Sequence, residues 1–268
     1  MADQAKVAPD EEKAVIHLHR SYRKLAGRSA KGHLVEYFAV VVPLVVLVFM
    51  FYQEISYFNC INAKQILKAV IPADLIEIRR QEFLDSSISL ISMPAAYPTT
   101  RFSFINVLLA VSGMTILPAI KRIPRSLGIA GAFVCFIHLC SSVFFLTMPD
   151  KFPYSVETFS GLYMKTEISM WFIVPLLLQL CLLPIPMPKL TKFMLNLLVL
   201  FLLIVLSVFR YLVFLYVLNR FSLIFMADMF FVFGALINFL YVVTLYSIFF
   251  ASLSRQFKTK HQVWKWSY

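Results

Sequence analysis

Six long apolar segments restrict this chain to folds that sit in a lipid bilayer. Hydrophobic residues make up 60% of the 268 residues and charged residues 15%, whereas soluble domains average about 45–50% and 25%. A segment of about 20 apolar residues crosses the hydrocarbon as a helix, because a helix satisfies its own backbone hydrogen bonds. The sequence therefore predicts an all-α integral membrane protein. The six predicted transmembrane helices cover residues 35–56, 103–120, 127–147, 166–187, 193–218 and 222–251.

Three polar segments lie outside these spans. Residues 1–34 form a basic tail that contains the pattern of an amphipathic helix, and residues 252–268 form a second basic tail. The 57–102 loop is too long for a simple connection. Apolar residues on either side of Pro72 predict two short surface helices in it. The membrane domain itself is predicted to cover 35–251.

Lysine and arginine set the predicted orientation. The two tails and the short turns at 121–126 and 188–192 hold 16 of the 25 Lys and Arg residues. Positively charged loops stay in the cytoplasm, so we expect both termini there, and residues 57–102 on the outer face of the cell (inner or cytoplasmic) membrane. The net charge of +11 is concentrated at span ends. This placement favours contact with anionic lipid at the cytoplasmic face over nucleic acid binding.

Two charged residues lie inside apolar runs. Arg210 belongs to the fifth predicted span and Asp228 to the sixth. Charges in hydrocarbon are costly and are kept where they face a protein interior or a wet cavity. We predict that Arg210 and Asp228 pair across neighbouring antiparallel helices, because a paired charge costs less than a lone one. Alternatively, Arg210 extends to the outer membrane interface from the last turns of its helix.

Three short motifs lie at the outer ends of predicted spans: Phe159-Ser160-Gly161, Arg210 and Ala227-Asp228. Their order resembles the exosortase/archaeosortase family of membrane enzymes, whose members carry Cys-Ser-Gly, Arg and His at the corresponding places. In that family the three residues form a transpeptidase triad of thiolate nucleophile, cation and histidine. The resemblance covers about residues 150–250 and implies an exosortase-like helix bundle.

The departures from the family pattern bear directly on the chemistry. Phe159 stands at the nucleophile position and Ala227 at the histidine position, while Ser160, Gly161 and Arg210 match the pattern. Attack on a peptide carbonyl needs an activated nucleophile and a group to take its proton. Phenylalanine and alanine supply neither. We therefore expect no catalytic residue, and a vestigial cleft, open to the outer side, that the three motifs line.

The remaining reactive side chains predict no second site. Cys135, His138 and Cys140 share one apolar run that has no acidic residue close in sequence. A histidine packed against a backbone or hydroxyl partner is therefore favoured over a metal site. Cys135, Cys140 and Cys181 are expected to be small buried hydrophobes, and Cys60 lies at the outer end of the first run. No metal and no cofactor are expected.

Three functions stay open. The favoured one is a non-catalytic scaffold, recognition or assembly subunit that binds a substrate peptide or the helix of another membrane protein in the vestigial cleft. The second is an active transpeptidase or protease with displaced residues, in which Ser160 or Cys60 supplies the nucleophile. The third is a transporter or channel component, which intramembrane charge indicates, although no inverted repeat is visible in the sequence.

Overall fold

The computed structural model describes residues 30–258 except positions 85, 184 and 186. Six helices in this part of the chain are long and apolar enough to cross a membrane. They are α1 (Ala30–Leu67), α2 (Thr100–Ala119), α3 (Arg125–Thr147), α4 (Val156–Leu182), α5 (Lys189–Arg220) and α6. Helix α6 joins an α-helical turn, Met226–Asp228, a π-helical segment, Met229–Leu236, and an α-helix, Ile237–Lys258. The prediction of a multi-pass helical membrane protein is confirmed.

Helix α1 runs well past the predicted limit at residue 56. Its continuation is polar on one side, but Cys60 and Ala63 are fully buried and Leu67 nearly so. These residues recur at helical spacing, so the helix continues because it has a face to bury against the rest of the protein. Residues 57–67 of the predicted 57–102 loop, about three helical turns, therefore belong to α1.

Helix α4 begins at Val156, whereas the predicted span began at residue 166. Ser155 caps it, because its Oγ accepts a hydrogen bond from the Thr158 N–H at 3.1 Å, and this satisfies one of the free donors of the first turn. The segment Phe159-Ser160-Gly161 consequently lies inside the helix and not ahead of it.

The segment after α1 folds as a β-hairpin, so the prediction of two short helices around Pro72 is wrong. Residues before Pro72 complete α1, and the residues after it form only a 3₁₀ turn, Ala73–Leu75. Strands β1 (Glu77–Phe83) and β2 (Ser86–Ser92) then pair antiparallel. In β2, Ile88 and Leu90 alternate with serines over residues 87–90, which is the period of two that favours a strand over a helix. The all-α description therefore needs this one exception.

The hairpin is attached to the helices through the edge of β2 that does not pair with β1. The backbone N–H of Ser89 donates to Ser56 Oγ at 3.2 Å, and that of Ile91 donates to the Tyr211 hydroxyl at 2.8 Å. The centre of β2 is buried, whereas most of β1 is exposed. Side chains from α1 and α5 thus take the place of a third strand. We call this end of the bundle the hairpin end.

Helices α1, α4 and α5 form the centre of the bundle. Their interior holds the largest fully buried side chains, including Trp171, Tyr163 and Tyr211. Helices α2 and α3 instead form a separate pair with close backbone contact: a Cβ on Gly128 would lie 2.9 Å from the Leu117 carbonyl oxygen. Small residues at such a crossing let two transmembrane helices approach closely. The α2–α3 pair meets the rest mainly through residues 223–228.

The chain passes through the bundle six times, so residues 30 and 258 lie at the same end, opposite the hairpin end. Which end faces the cytoplasm stays a prediction from the Lys and Arg distribution. The amphipathic helix expected in the N-terminal tail and most of the C-terminal tail lie outside the described residues.

Candidate functional site

Arg210 lies inside the bundle and pairs with Glu167. Its Nη2 donates to Glu167 Oε2 at 2.6 Å, and its Nη1 donates to Asn238 Oδ1. Asn238 Nδ2 donates in turn to Glu167 Oε1 at 3.1 Å. The three side chains therefore form a closed ring that joins α5, α4 and α6. Arg210 is 6% exposed and Glu167 1%, and added hydrogen bonds of this kind are what a buried ion pair requires.

The predicted partner of Arg210 was wrong. Asp228 does not contact the guanidinium, and the alternative of an arginine reaching the lipid interface is also wrong, because Arg210 is buried. Glu167 was overlooked because it falls at the edge of the predicted fourth span, where an acidic residue is unremarkable. Its spacing carried a signal: Phe159, Tyr163 and Glu167 recur every four residues, which puts the carboxylate on the buried face of α4.

Asp228 bonds instead to His138 on α3. His138 Nδ1 lies 2.5 Å from Asp228 Oδ2, and His138 Nε2 lies 3.0 Å from Asn106 Oδ1 on α2. The Phe225 ring stacks on the imidazole at a centroid distance of 5.1 Å. The expectation of a backbone or hydroxyl partner for His138 was therefore wrong. The expectation took into account only residues close to His138 in sequence, whereas Asp228 and Asn106 come from other helices.

The π-helical segment of α6 explains why Asp228 and Asn238 serve different partners. A π-helix closes i→i+5 hydrogen bonds and so has more residues per turn than an α-helix. Inserted between the two side chains, Met229–Leu236 changes the direction in which the following residues point. Asp228 then faces α3, and Asn238 faces the Arg210 and Glu167 pair. Such segments are frequent at functional sites.

Phe159, at the family's nucleophile position, is packed into an aromatic layer. Its ring stacks on Phe214 at 4.8 Å and meets the edge of Phe230 at 5.5 Å. One turn further into the bundle, Tyr163 stacks on Phe214 at 5.4 Å. Tyr163 also lies beside Glu167 and Arg210. The aromatic layer therefore separates the Arg210 ion pair from the hairpin end.

Ser160 is fully buried, and its hydroxyl bonds to the Tyr211 hydroxyl. The same tyrosine oxygen accepts from the Ile91 N–H, so Ser160 belongs to the contact that seats the hairpin. Cys60, also fully buried, lies beside Tyr211. Ser160 and Cys60, the two candidates for a displaced nucleophile, thus share one tyrosine and are both closed off from solvent.

Gly161 and Ala227 complete the predicted site. Gly161 is buried against the hairpin, where an added Cβ would meet Gln81 Oε1, the end of an exposed side chain of β1, and would lie 3.4 Å from Leu90 Cδ2 of β2. Ala227 is half-buried at the start of α6. The structure thus brings the three motifs to the hairpin-end half of α4, α5 and α6. It keeps Arg210 and Asp228 in two separate polar networks.

A second buried ion pair lies at the opposite end of the bundle. Lys192 Nζ donates to Glu36 Oε1 at 2.6 Å, and both side chains are almost fully buried. One turn along α5, Asn196 Nδ2 donates to Gln179 Oε1 at 3.1 Å. In the sequence, Lys192 was counted only as a basic residue of the 188–192 turn, whereas in the structure it lies in the first turn of α5 with its side chain buried. Lys192 and Asn196 are four residues apart, a spacing that could have revealed a polar stripe on α5.

At the surface of the hairpin end, Arg79 ties β1 to the first turn of α4. Its Nε donates to Glu77 Oε2 at 3.1 Å and its Nη1 to Glu157 Oε2 at 2.6 Å. The hydrogen bond that Arg79 donates to Glu77 and the charge of Glu157 raise the pKa of Arg79 above its ordinary value. Because these groups are exposed, they contribute little to stability.

The geometry also limits proton transfer. A general base needs a ring nitrogen within reach of the proton that it takes, and both nitrogens of His138 are engaged. Cys140 and Cys181 are exposed on the helix surface and Cys135 is half-buried, so the expectation that all three are buried was wrong. Within the described residues, no three His, Cys, Asp or Glu side chains converge as metal ligands would.

Comparison with protein-family models, with curated proteins and with solved structures finds no match to this chain. The family resemblance therefore rests on the three motifs alone.

Proposed function

We propose that this chain is a non-catalytic, exosortase-like membrane protein that binds a peptide or a helix of another membrane protein and serves as a recognition or assembly subunit. The observation that carries the proposal is the aromatic packing of Phe159 at the nucleophile position. A ring stacked on Phe214 offers no nucleophile. It also fills the space in which a thiolate would meet a carbonyl.

The arginine and the nearest histidine, which correspond to the other two members of the family's triad, are also engaged in contacts with other side chains. The Arg210 guanidinium is neutralised by Glu167 at 2.6 Å, so it is not a free cation that could stabilise a developing oxyanion. The nearest histidine to the third motif, His138, has both nitrogens engaged. A displaced mechanism based on Ser160 or Cys60 would need a base, and the contact described for both is Tyr211.

The surface beside Phe159 indicates where a partner would bind. Leu162 on α4 and Phe231 on α6 flank the aromatic layer and are 43% and 55% exposed. They lie about one and a half turns into the hairpin-end half of their helices. A partner helix packed there would meet apolar side chains supported by a rigid interior. Pre-organised surfaces bind more tightly because less ordering is required on binding.

Site-specific photo-crosslinking in native membranes tests this proposal. A photoreactive residue at 162 or 231 should give one discrete cross-linked partner. The same residue at Ile105, which is 53% exposed at a similar depth on α2, should give none. Equal products at all three positions, or none at 162 and 231 while the protein is fully inserted, would contradict a partner site beside Phe159.

A transporter or channel component is the second candidate, and the number of buried ionisable side chains favours it. Besides Arg210 and Asp228, the interior holds Glu36, Glu167 and Lys192. Ionisable residues inside a membrane commonly mark ion or proton pathways. Purified protein in liposomes should then carry protons or ions across the membrane, and Glu167→Gln should abolish this flux while Glu157→Gln, outside the interior network, should not.

A further inference from the structure

The hydrogen-bond partners of His138 indicate which of its ring nitrogens carry protons. Asn106 Nδ2 donates to the Phe102 carbonyl oxygen at 2.8 Å, which orients the amide so that Oδ1 faces His138. An amide oxygen only accepts hydrogen bonds. His138 Nε2, 3.0 Å from this oxygen, must therefore carry a proton and donate it.

The same reasoning fixes the other side of the ring. His138 Nδ1 and Asp228 Oδ2 are 2.5 Å apart, a distance that requires a proton between them. Since Nε2 already carries one proton, the pair is either imidazolium with carboxylate or neutral imidazole with carboxylic acid. Both forms have a net charge of zero and contain one proton more than neutral histidine beside a carboxylate.

This pair lies where the α2–α3 pair joins the rest of the protein. Helix α3 contacts the bundle mainly at residues 223–228, and Ser141 Oγ donates to the Ile224 carbonyl oxygen at 2.6 Å one turn from His138. From α2 the imidazole meets Asn106, and from the turn before α6 it meets the Phe225 ring. In the part of the chain that the structure describes, neither partner forms a second ion pair within 4.0 Å.

We propose that His138 and Asp228 form a membrane-embedded proton-binding site that fastens the α2–α3 pair to the bundle, and that loss of its proton weakens this attachment. Without the proton, a ring with Nε2–H turns the Nδ1 lone pair toward a carboxylate, which is repulsive. The other tautomer turns the Nε2 lone pair toward Asn106 Oδ1 and cannot be accommodated without breaking the Asn106 bond to Phe102. Loss of the proton therefore breaks either the hydrogen bond between His138 and Asp228 or the one between Asn106 and Phe102.

Nitrogen-15 NMR of histidine-labelled protein in lipid tests the proton assignment directly. The chain has five histidines, and comparison with a His138→Gln variant identifies the His138 signals. We expect Nε2 to be protonated at neutral pH, with Nδ1 either protonated or strongly hydrogen-bonded. A spectrum in which Nε2 is unprotonated would overturn the proposal, whatever happens to the helices.

Double electron–electron resonance, which measures distances between pairs of spin labels, tests whether the α2–α3 pair stays attached to the bundle. Labels at Ile129 on α3 and Leu240 on α6, both more than half exposed, report the separation of the two helices in liposomes. The native cysteines are replaced, and normal insertion is verified first. We expect a single narrow distance at acidic and neutral pH, and a longer or broader distribution at alkaline pH.

An Asp228→Asn variant distinguishes the proton site from general alkaline loosening. Its amide N–H donates to the Nδ1 lone pair of neutral His138, so the narrow distance should persist at alkaline pH. Asp150→Asn, the same change at an exposed residue of the hairpin end, should behave like the wild type. A wild-type distance that does not change with pH, or an Asp228→Asn variant that loosens as the wild type does, would overturn the proposal.

Discussion

Arg210 and Glu167 hold each other at 2.6 Å in the interior of the bundle, directly beneath the aromatic layer that contains Phe159. Phe159, Tyr163 and Glu167 lie on one face of α4, and Tyr163 contacts Phe214 above the ion pair. The arginine that matches a catalytic motif therefore serves as a structural tie among three helices. Its charge is balanced before any ligand is present.

Removal of one member of this ion pair should be far more damaging than removal of both. Arg210→Ala leaves Glu167 buried without its cation, so we expect a loss of about 3–5 kcal/mol in the free energy of unfolding. Arg210→Ala combined with Glu167→Gln should recover a large part of that loss. Denaturation in detergent, followed for the two single variants and the double variant, measures the coupling.

Arg80→Ala is the matched control, because Arg80 is an exposed arginine of β1. It should change the free energy of unfolding by less than about 0.5 kcal/mol. Additive effects of Arg210→Ala and Glu167→Gln would contradict the ion pair. Coupling of Arg210→Ala with Asp228→Asn in place of Glu167→Gln would instead support the pairing predicted from sequence.

The buried pair at the opposite end gives a comparison within one helical turn. Lys192 is almost fully buried against Glu36, whereas Lys189 is exposed. We expect Lys192→Ala to lower the free energy of unfolding by about 3–5 kcal/mol, because the buried Glu36 carboxylate loses the cation that balances its charge. Lys189→Ala should have almost no effect. If Lys192→Ala had as small an effect as Lys189→Ala, the Lys192 ammonium would be solvated in the membrane and the buried pair would be contradicted.

The Tyr211 hydroxyl is expected to hold the hairpin in place. Tyr211→Phe removes the acceptor of the buried Ile91 N–H, and an unsatisfied buried donor costs about 1–3 kcal/mol. We expect this loss together with faster hydrogen exchange in β2, measured by mass spectrometry. Tyr216→Phe, at a half-buried position on the same helix, should change neither quantity. Unchanged exchange in β2 would show that Tyr211 does not anchor the strand.

The orientation in the membrane can be tested by cysteine labelling. In a variant without native cysteines, Arg80→Cys in β1 should react with a membrane-impermeant reagent added outside intact cells, and Gln262→Cys should react only after the cells are opened. Position 80 is suitable because it is exposed, whereas Leu90 on the neighbouring strand is buried. The opposite labelling pattern would reverse the predicted topology.

Elements with a strong local pattern could be predicted from the sequence. The limits of α2 and α3 differ from prediction by three residues or fewer, because both are mostly apolar and end at polar or proline-containing turns. The hairpin was missed because β1 has only two apolar residues and no alternating pattern, and because burial of β2 depends on Ser56 and Tyr211, which are distant in sequence.

The positions of the buried charges could be predicted, but their partners could not. Arg210 and Asp228 stand out in apolar runs, and both are buried. Their partners depend on helix rotation and on the π-helical segment Met229–Leu236, which turns Asp228 toward His138 and Asn238 toward Arg210. No local pattern in the sequence encodes that rotation. Glu167 and Lys192 were hidden because each lies near the end of an apolar run.

The claim that this protein performs no peptide transfer is tested most directly by a variant with Ser160→Ala and all four cysteines replaced. The measurement is the cellular phenotype that the gene supports, compared with wild type at equal amounts of membrane-inserted protein. We expect the phenotype to be retained in full, because no step requires a nucleophile. Loss of the phenotype at normal protein level, with recovery when Ser160 or one cysteine such as Cys60 is restored, would contradict the account and identify a relocated nucleophile.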